Sequence, residues 1–141
     1  MTKVLIIEAR YYSEINDMLL GGARAELEKS GAKYDVLTVP GALEIPAALK
    51  FVHESKPYDA YVVLGCVIRG ETSHYDIVCN ESARGVYNLV MEHGLALGNG
   101  ILTVEDDDQA LARADKARKN KGGEAAKAAL HMLDLRRKYR G

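Results

Sequence analysis

His74 is the side chain in this sequence best placed to move protons. Imidazole titrates near neutral pH, so a histidine at a solvent-open turn can act as acid or base. It stands at the mouth of a polar turn that begins at Arg69-Gly70. Gly70, Glu71 and Thr72 offer backbone N–H donors and a hydroxyl to a phosphate, although no Gly-Lys-Ser/Thr follows as a Walker loop requires. The plainer reading of His74 is a surface or capping residue; the anion-binding turn beside it favours function. Arg113 and Lys121 are the basic residues that could neutralise such an anion, one as a bidentate fork and one as a point charge. Read alone, both are exposed helix charges.

Tyr11 and Tyr12 could stack on a planar heterocycle or simply cover the core. Glu44, beside Pro40-Gly41, could accept hydrogen bonds from hydroxyls or serve as a helix N-terminal acid. His53, His93 and His131 have no partner at ligand spacing and read as structural, so no metal site is expected.

These residues need a scaffold that brings distant segments together. Val62 to Ile68 is a continuous apolar run, the signature of a strand buried on both faces. It opens through the glycine turn into a helix from about Tyr75 to His93, with Ser73 or Asp76 as cap and Gly94 as stop. Lys3–Ala9 is a first buried strand. Ser13 can cap the following helix, whose apolar face uses Ile15, Leu19, Ala23 and Leu27 and which Gly31 ends. Gly21-Gly22 inside it costs stability and implies close packing against a neighbour. Tyr34–Val39 is a second strand, and Pro46 falls in the first turn of a helix that ends before Lys56-Pro57. Gly100–Val104 is a fourth strand, and Glu105 to Asp108 place acids on the first turn of a short helix. A final helix from roughly Gly123 to Tyr139 presents Ala125, Ala128, Met132 and Leu135 on one face.

Strands alternating with helices predict an α/β fold with a parallel sheet covered on both faces. The strand C-termini would deliver Ala9–Tyr12, Pro40–Glu44, Arg69–His74 and Glu105–Asp106 to one rim, where such folds bind ligands. The 141 residues fit one domain, spanning 1–141. A net charge of -1 gives no general reason to bind nucleic acid or an anionic membrane. No apolar stretch approaches a membrane span, and the early first strand leaves no room for a signal peptide. Cys66 and Cys79 lack metal or redox spacing and read as reduced, buried thiols of a cytoplasmic protein.

Several stretches, in order and across essentially the whole chain, resemble the lumazine synthase family. They are Val39-Pro40-Gly41-Ala42-Leu43-Glu44-Ile45-Pro46, then Gly65 to Asp76, Cys79-Asn80-Glu81-Ser82-Ala83-Arg84-Gly85, Gly100-Ile101-Leu102-Thr103, Gln109-Ala110 and Arg113-Ala114. The run Arg69-Gly70-x-Thr72-x-His74-Tyr75-Asp76 is the most specific. The resemblance implies a flavodoxin-like three-layer α/β/α sandwich around a four-stranded parallel sheet. It also implies condensation of 5-amino-6-ribitylaminouracil with 3,4-dihydroxy-2-butanone 4-phosphate, the penultimate step of riboflavin biosynthesis, without metal or organic cofactor. By position, Tyr11 takes the place of the ring-stacking aromatic, and Ala42, Glu44 and Ile45 lie where the ribityl chain is held. Val67 and Ile68 lead into Gly70, Glu71 and Thr72, which match the phosphate turn, and His74 matches the proton-transfer histidine. Arg113 matches the phosphate-binding arginine and Lys121 a lysine near it, both supplied by an adjacent subunit.

There are departures. Tyr11 stands where Phe or Trp is common, Asn99 where many members carry Phe, and Glu124 where an Asp is expected. The resemblance implies a homopentamer, single or stacked as a decamer, with riboflavin or phosphate as further ligands. Shell-forming members carry a Gly-x-Lys-x-Gly type turn between the last two helices. Asp115-Lys116-Ala117-Arg118-Lys119-Asn120 lacks glycine, so the first helix of the pair is expected to run on; the short N-terminus also points away from a shell. Two alternatives stay open: an archaeal-type riboflavin synthase, which joins two lumazines, and a non-catalytic flavin or lumazine carrier. A carrier would need neither His74 nor Arg113.

Overall fold

Alternation of side chains along two strands generates the architecture of this computed structural model, which describes residues 1–140. Strand β1 (Lys3–Ala9) sends Val4 and Ile6 to one face of the sheet and Leu5, Ile7 and Ala9 to the other. Strand β3 (Ala60–Ile68) divides the same way, with Val62 and Leu64 opposite Tyr61 and Val63. Successive strand residues point to opposite faces, so a run that is apolar at every position must be buried on both.

Helix α1 (Ser13–Ser30), β2 (Lys33–Val39), a single 3₁₀ turn (Ala42–Glu44) and α2 (Ile45–Ser55) precede β3. Helix α3 (His74–His93), β4 (Leu97–Val104), α4 (Asp107–Ala114) and α5 (Lys121–Arg140) follow it. All pairings are parallel, in the order β2-β1-β3-β4. Helices α1, α4 and α5 cover one apolar core, and α2 and α3 cover the other. This is a three-layer α/β/α sandwich of flavodoxin-like form around a four-stranded parallel sheet. The chain builds outward from β1 to β2, then returns to the far side of β1 to lay down β3. Ligand crevices form at such a reversal, because the connections leave the adjacent strand ends in opposite directions.

The expected terminators hold: Gly31 and Gly94 take left-handed conformations as C-caps, at φ 81° and 63°. Other details differ from expectation. Tyr12, not Ser13, occupies the N-cap position of α1. Ser73 precedes α3 with a backbone already helical, at φ -71° and ψ 0°, and its side chain makes no cap bond. Thr72 Oγ1 instead accepts from the His74 N–H at 3.3 Å. Strand β4 begins at Leu97, three residues earlier than Gly100. Its glycines hide it from a propensity reading, yet they are what lets α5 approach. A Cβ on Gly98 would overlap the Ala125 carbonyl, and one on Gly100 would lie 3.1 Å from the Ala125 Cβ.

The same proximity overturns the expected face of α5. Gly122, Gly123, Ala125, Ala126, Ala129 and Leu133 are buried, while Ala128, Met132 and Leu135 are exposed. Small residues, not bulky ones, mark the packed face. Gly22 of α1 is explained as well, because a side chain there would strike Asn120. Gly21 faces open space. Helix α4 does not run on: it stops at Ala114, and Asp115 turns the chain at ψ 123°. Asn120 supplies the left-handed residue of the link at φ 47°, which asparagine tolerates better than most. Its Oδ1 then accepts from the Gly123 N–H, starting α5.

Among the described residues no helix is long and apolar enough to cross a membrane.

Candidate active site

The C-terminal ends of β1, β2 and β3 open into a cavity of about 480 Å³. Each wall comes from one strand-to-helix connection. Tyr11 and Tyr12, after β1, form one side, their rings edge-to-face at 4.9 Å. Pro40 to Glu44, after β2, form the opposite side. The floor is Cys66, Val67 and Ile68 of β3. Gly70, Thr72 and His74 close the end, with Tyr75 and Val78 of α3 behind them. Side chains distant in sequence therefore meet because three parallel strands end together.

Tyr11 is 73% exposed, so its ring is available to a ligand rather than used by the core. His74 is exposed and is the first residue of α3. Backbone N–H groups at a helix start lack intrahelical acceptors and carry partial positive charge, which suits the Gly70–His74 turn to an anion. Arg69 braces that turn. Its Nε donates to Glu105 Oε2 at 2.6 Å, its Nη2 lies 3.7 Å from Asp76, and its guanidinium stacks 4.3 Å from the Tyr75 ring. The loop after β3 is thus tied to the end of β4 and to the first turn of α3. Burial pushes the Cys66 thiol up to about 11, which keeps it protonated and inert near neutrality. Cys79 is half-buried on α3.

Of the residues singled out in the sequence, Tyr11, Ala42, Glu44, Val67, Ile68, Gly70, Thr72 and His74 line this cavity. Glu71 is exposed in the same turn but outside the lining. Ile45 is fully buried in the α2–α3 core. Asn99 is exposed on β4, and its Oδ1 accepts from the Ile101 N–H of the same strand at 2.9 Å. Arg113, on α4, donates to the Gln109 carbonyl at 3.2 Å, and Lys121 pairs with Glu124 at 2.9 Å. Neither lines the cavity of its own chain, and nor do Glu105 and Asp106. Tyr12, a candidate stacking ring alongside Tyr11, lines it too, and Leu43, Cys66, Tyr75 and Val78 do so without having been assigned a substrate role. Their apolar or aromatic character read as core, which is how half of a pocket wall looks in sequence.

His53 and His93 meet at 4.8 Å between ring centroids, a contact between two helix C-termini that spacing in sequence does not reveal. Among the described residues no group of three or more His, Cys, Asp or Glu could hold a metal ion.

Comparison with known proteins extends across this whole framework. The family described as 6,7-dimethyl-8-ribityllumazine synthase matches residues 1–137. A protein of that name from Sphingopyxis alaskensis is 60% identical over 139 residues, covering 99% of this chain and 98% of its own. One from Novosphingobium aromaticivorans is 58% identical over 139 residues, covering 99% of each chain. One from Zymomonas mobilis is 58% identical over 138 residues, covering 98% of this chain and 99% of its own. With one match that takes in every strand and every cavity-lining residue, the chain belongs to the 6,7-dimethyl-8-ribityllumazine synthase family.

Proposed function

We propose that the protein is a transferase that condenses 5-amino-6-ribitylaminouracil with 3,4-dihydroxy-2-butanone 4-phosphate. The products are 6,7-dimethyl-8-ribityllumazine, inorganic phosphate and water, the penultimate step of riboflavin biosynthesis. The observation that carries this reading is the convergence of an exposed tyrosine ring, the Glu44 turn and the His74 turn on one cavity, in a chain of this family.

The pyrimidine lies against Tyr11, where ring stacking needs an open aromatic face. The ribityl hydroxyls reach Ala42 and Glu44, and Ile45 fixes that segment from the core. Val67 and Ile68 give the ring an apolar floor. The phosphate sits on the backbone of Gly70, Glu71 and Thr72. His74 passes protons during Schiff-base formation between the amine and the ketone, and again as phosphate leaves. No metal or organic cofactor enters this scheme.

The cavity lining contains acid, hydroxyl and imidazole groups but no lysine or arginine. A leaving phosphate needs a cation, so Arg113 and Lys121 act from a neighbouring copy, and Asn99 serves at the subunit boundary. The working unit is then a homopentamer, single or stacked in pairs, formed as a ring of head-to-tail contacts. The whole chain, 1–141, acts as one domain within it, in the cytoplasm, with no nucleic-acid or membrane partner.

Incubating the protein with both substrates and following lumazine fluorescence tests the reading. Lumazine should form only when both are present. Riboflavin formed from lumazine alone would instead identify a riboflavin synthase, and binding without turnover would identify a carrier.

A further inference from the structure

Three residues before Tyr11 stands a buried carboxylate that the proposed chemistry leaves unused. Glu8 is 3% exposed, on the face of β1 that packs under α1. Its oxygens accept from three directions. Arg10 donates through Nη2 at 2.8 Å and Nε at 3.1 Å, and the Thr38 hydroxyl donates at 2.6 Å across the β1–β2 register. Arg10 reaches further, from Nη1 to the Ser13 carbonyl at 3.2 Å and to Asp17 at 2.7 Å. Its backbone N–H donates to the Val39 carbonyl at 3.1 Å.

The two partners of Glu8 sit at the roots of opposite cavity walls. Arg10 directly precedes Tyr11 and Tyr12, and Thr38-Val39 directly precede Pro40 to Glu44. We infer that Glu8 is a positioning residue for the heterocyclic substrate, fixing through Arg10 and Thr38 the spacing between the Tyr11 ring and the Pro40–Glu44 wall. The inference rests on the reading of the cavity given above. Charge-assisted hydrogen bonds are the stronger and more directional kind, so a carboxylate holding both roots fixes them better than a neutral group can. The phosphate turn after β3 receives nothing from this cluster. Disturbing Glu8 therefore alters recognition of the ring and leaves recognition of the phosphate alone. Asn16, fully buried beside Glu8, belongs to the same cluster, although neither of its side-chain polar atoms completes a hydrogen bond within the chain.

The test uses full-length protein, the variants Glu8→Gln, Thr38→Val and Thr38→Ser, and two readouts: steady-state kinetics with each substrate varied, and titration of ribityllumazine by its fluorescence. Thr38 is exposed on an edge strand, so its variants fold even if Glu8→Gln does not. Thr38→Val and Glu8→Gln should each raise the KM for the ribitylaminouracil and the Kd for lumazine by roughly tenfold, the scale of one lost charge-assisted hydrogen bond. The KM for butanone phosphate should shift by less than about twofold, and Thr38→Ser should restore wild-type values. Unchanged lumazine affinity in Thr38→Val, or an equal rise in both KM values, would overturn the inference. Wild-type protein that binds lumazine but makes none would reject the proposed reaction, and the variants' lumazine affinities would still judge the role of Glu8.

Discussion

His74, Arg113 and Tyr11 divide the proposed reaction among an imidazole, a guanidinium and a phenol ring, so their loss should be separable. General acid–base catalysis by one side chain contributes roughly a hundred- to ten-thousandfold. His74→Ala should lower kcat within that range and leave residual turnover, because holding two substrates in register contributes independently. Arg113→Ala should raise the KM for butanone phosphate and barely change that for the ribitylaminouracil; unchanged butanone phosphate kinetics would refute the phosphate role. Tyr11→Ala should weaken lumazine or riboflavin binding by roughly 1–3 kcal/mol, the scale of base–aromatic stacking, as read by fluorescence titration. The candidate groups at this scale were legible in sequence because reactive side chains announce themselves by type: His74, Thr72, Glu44 and Tyr11 all line the cavity. Glu8 was not. A carboxylate inside an apolar strand reads as an exception until Arg10 and Thr38 are seen around it.

At the scale of elements, most boundaries followed from periodicity and glycine stops, and the errors at β4 and α5 share one cause. Where α5 lies so close to β4 and α1 that only Gly and Ala fit, hydrophobic patterning selects the wrong face. A Cβ on Gly122 would collide with the backbone of Leu19, and backbone cannot swing aside as a flexible side chain can. Gly122→Ala should therefore destabilise the fold by at least about 2 kcal/mol, the scale of overpacking, even though alanine is the better helix former. Thermal unfolding would measure it, and a raised Tm would show that α1 and α5 are less tightly docked than described. The β1 cluster adds a pH dependence. Burial acts to raise the Glu8 pKa, but the hydrogen bonds from Arg10 and Thr38 outweigh it and hold the carboxyl below its ordinary 4.5. A carboxyl with a depressed folded pKa contributes stability above its unfolded pKa and loses it as pH falls through the folded value. Wild type should accordingly lose more stability than Glu8→Gln between neutral pH and acid below that value, as chemical denaturation at each pH would record.

At the scale of the whole molecule, one chain leaves the proposed site without its cation and several large apolar side chains without cover. Phe51 on α2, Ile77 and Met91 on α3, and Tyr139 on α5 are all more than half exposed. Scattered apolar exposure is ordinary, but these residues flank the same sheet whose cavity lacks an arginine. A ring of copies answers both deficits if each chain offers α4 and the start of α5, with Arg113 and Lys121, to its neighbour's His74 turn. Such a contact is head-to-tail, and it closes only for a fixed rotation. By the resemblance, relatives that grow into shells carry a glycine-bearing link between the last two helices. Here the link from α4 to α5 is pinned: the Asp115 carbonyl accepts from the Arg118 and Asn120 N–H groups, its side chain from Ala117, and the Lys119 N–H reaches back to the Ala112 carbonyl. Asn120 is further locked between Gly22 and Gly123. A turn so fully bonded has little freedom to re-aim α5 toward a second ring. Static light scattering should therefore give about 77 kDa for five copies of the 15.4 kDa chain, or twice that for stacked rings. Mixing His74→Ala with Arg113→Ala protein, after dissociation and reassembly, should give activity above that of either variant alone at low butanone phosphate, because some interfaces then carry both native residues. A particle of megadalton mass would overturn the closed ring, and mixed assemblies no more active than either variant alone would overturn the shared site.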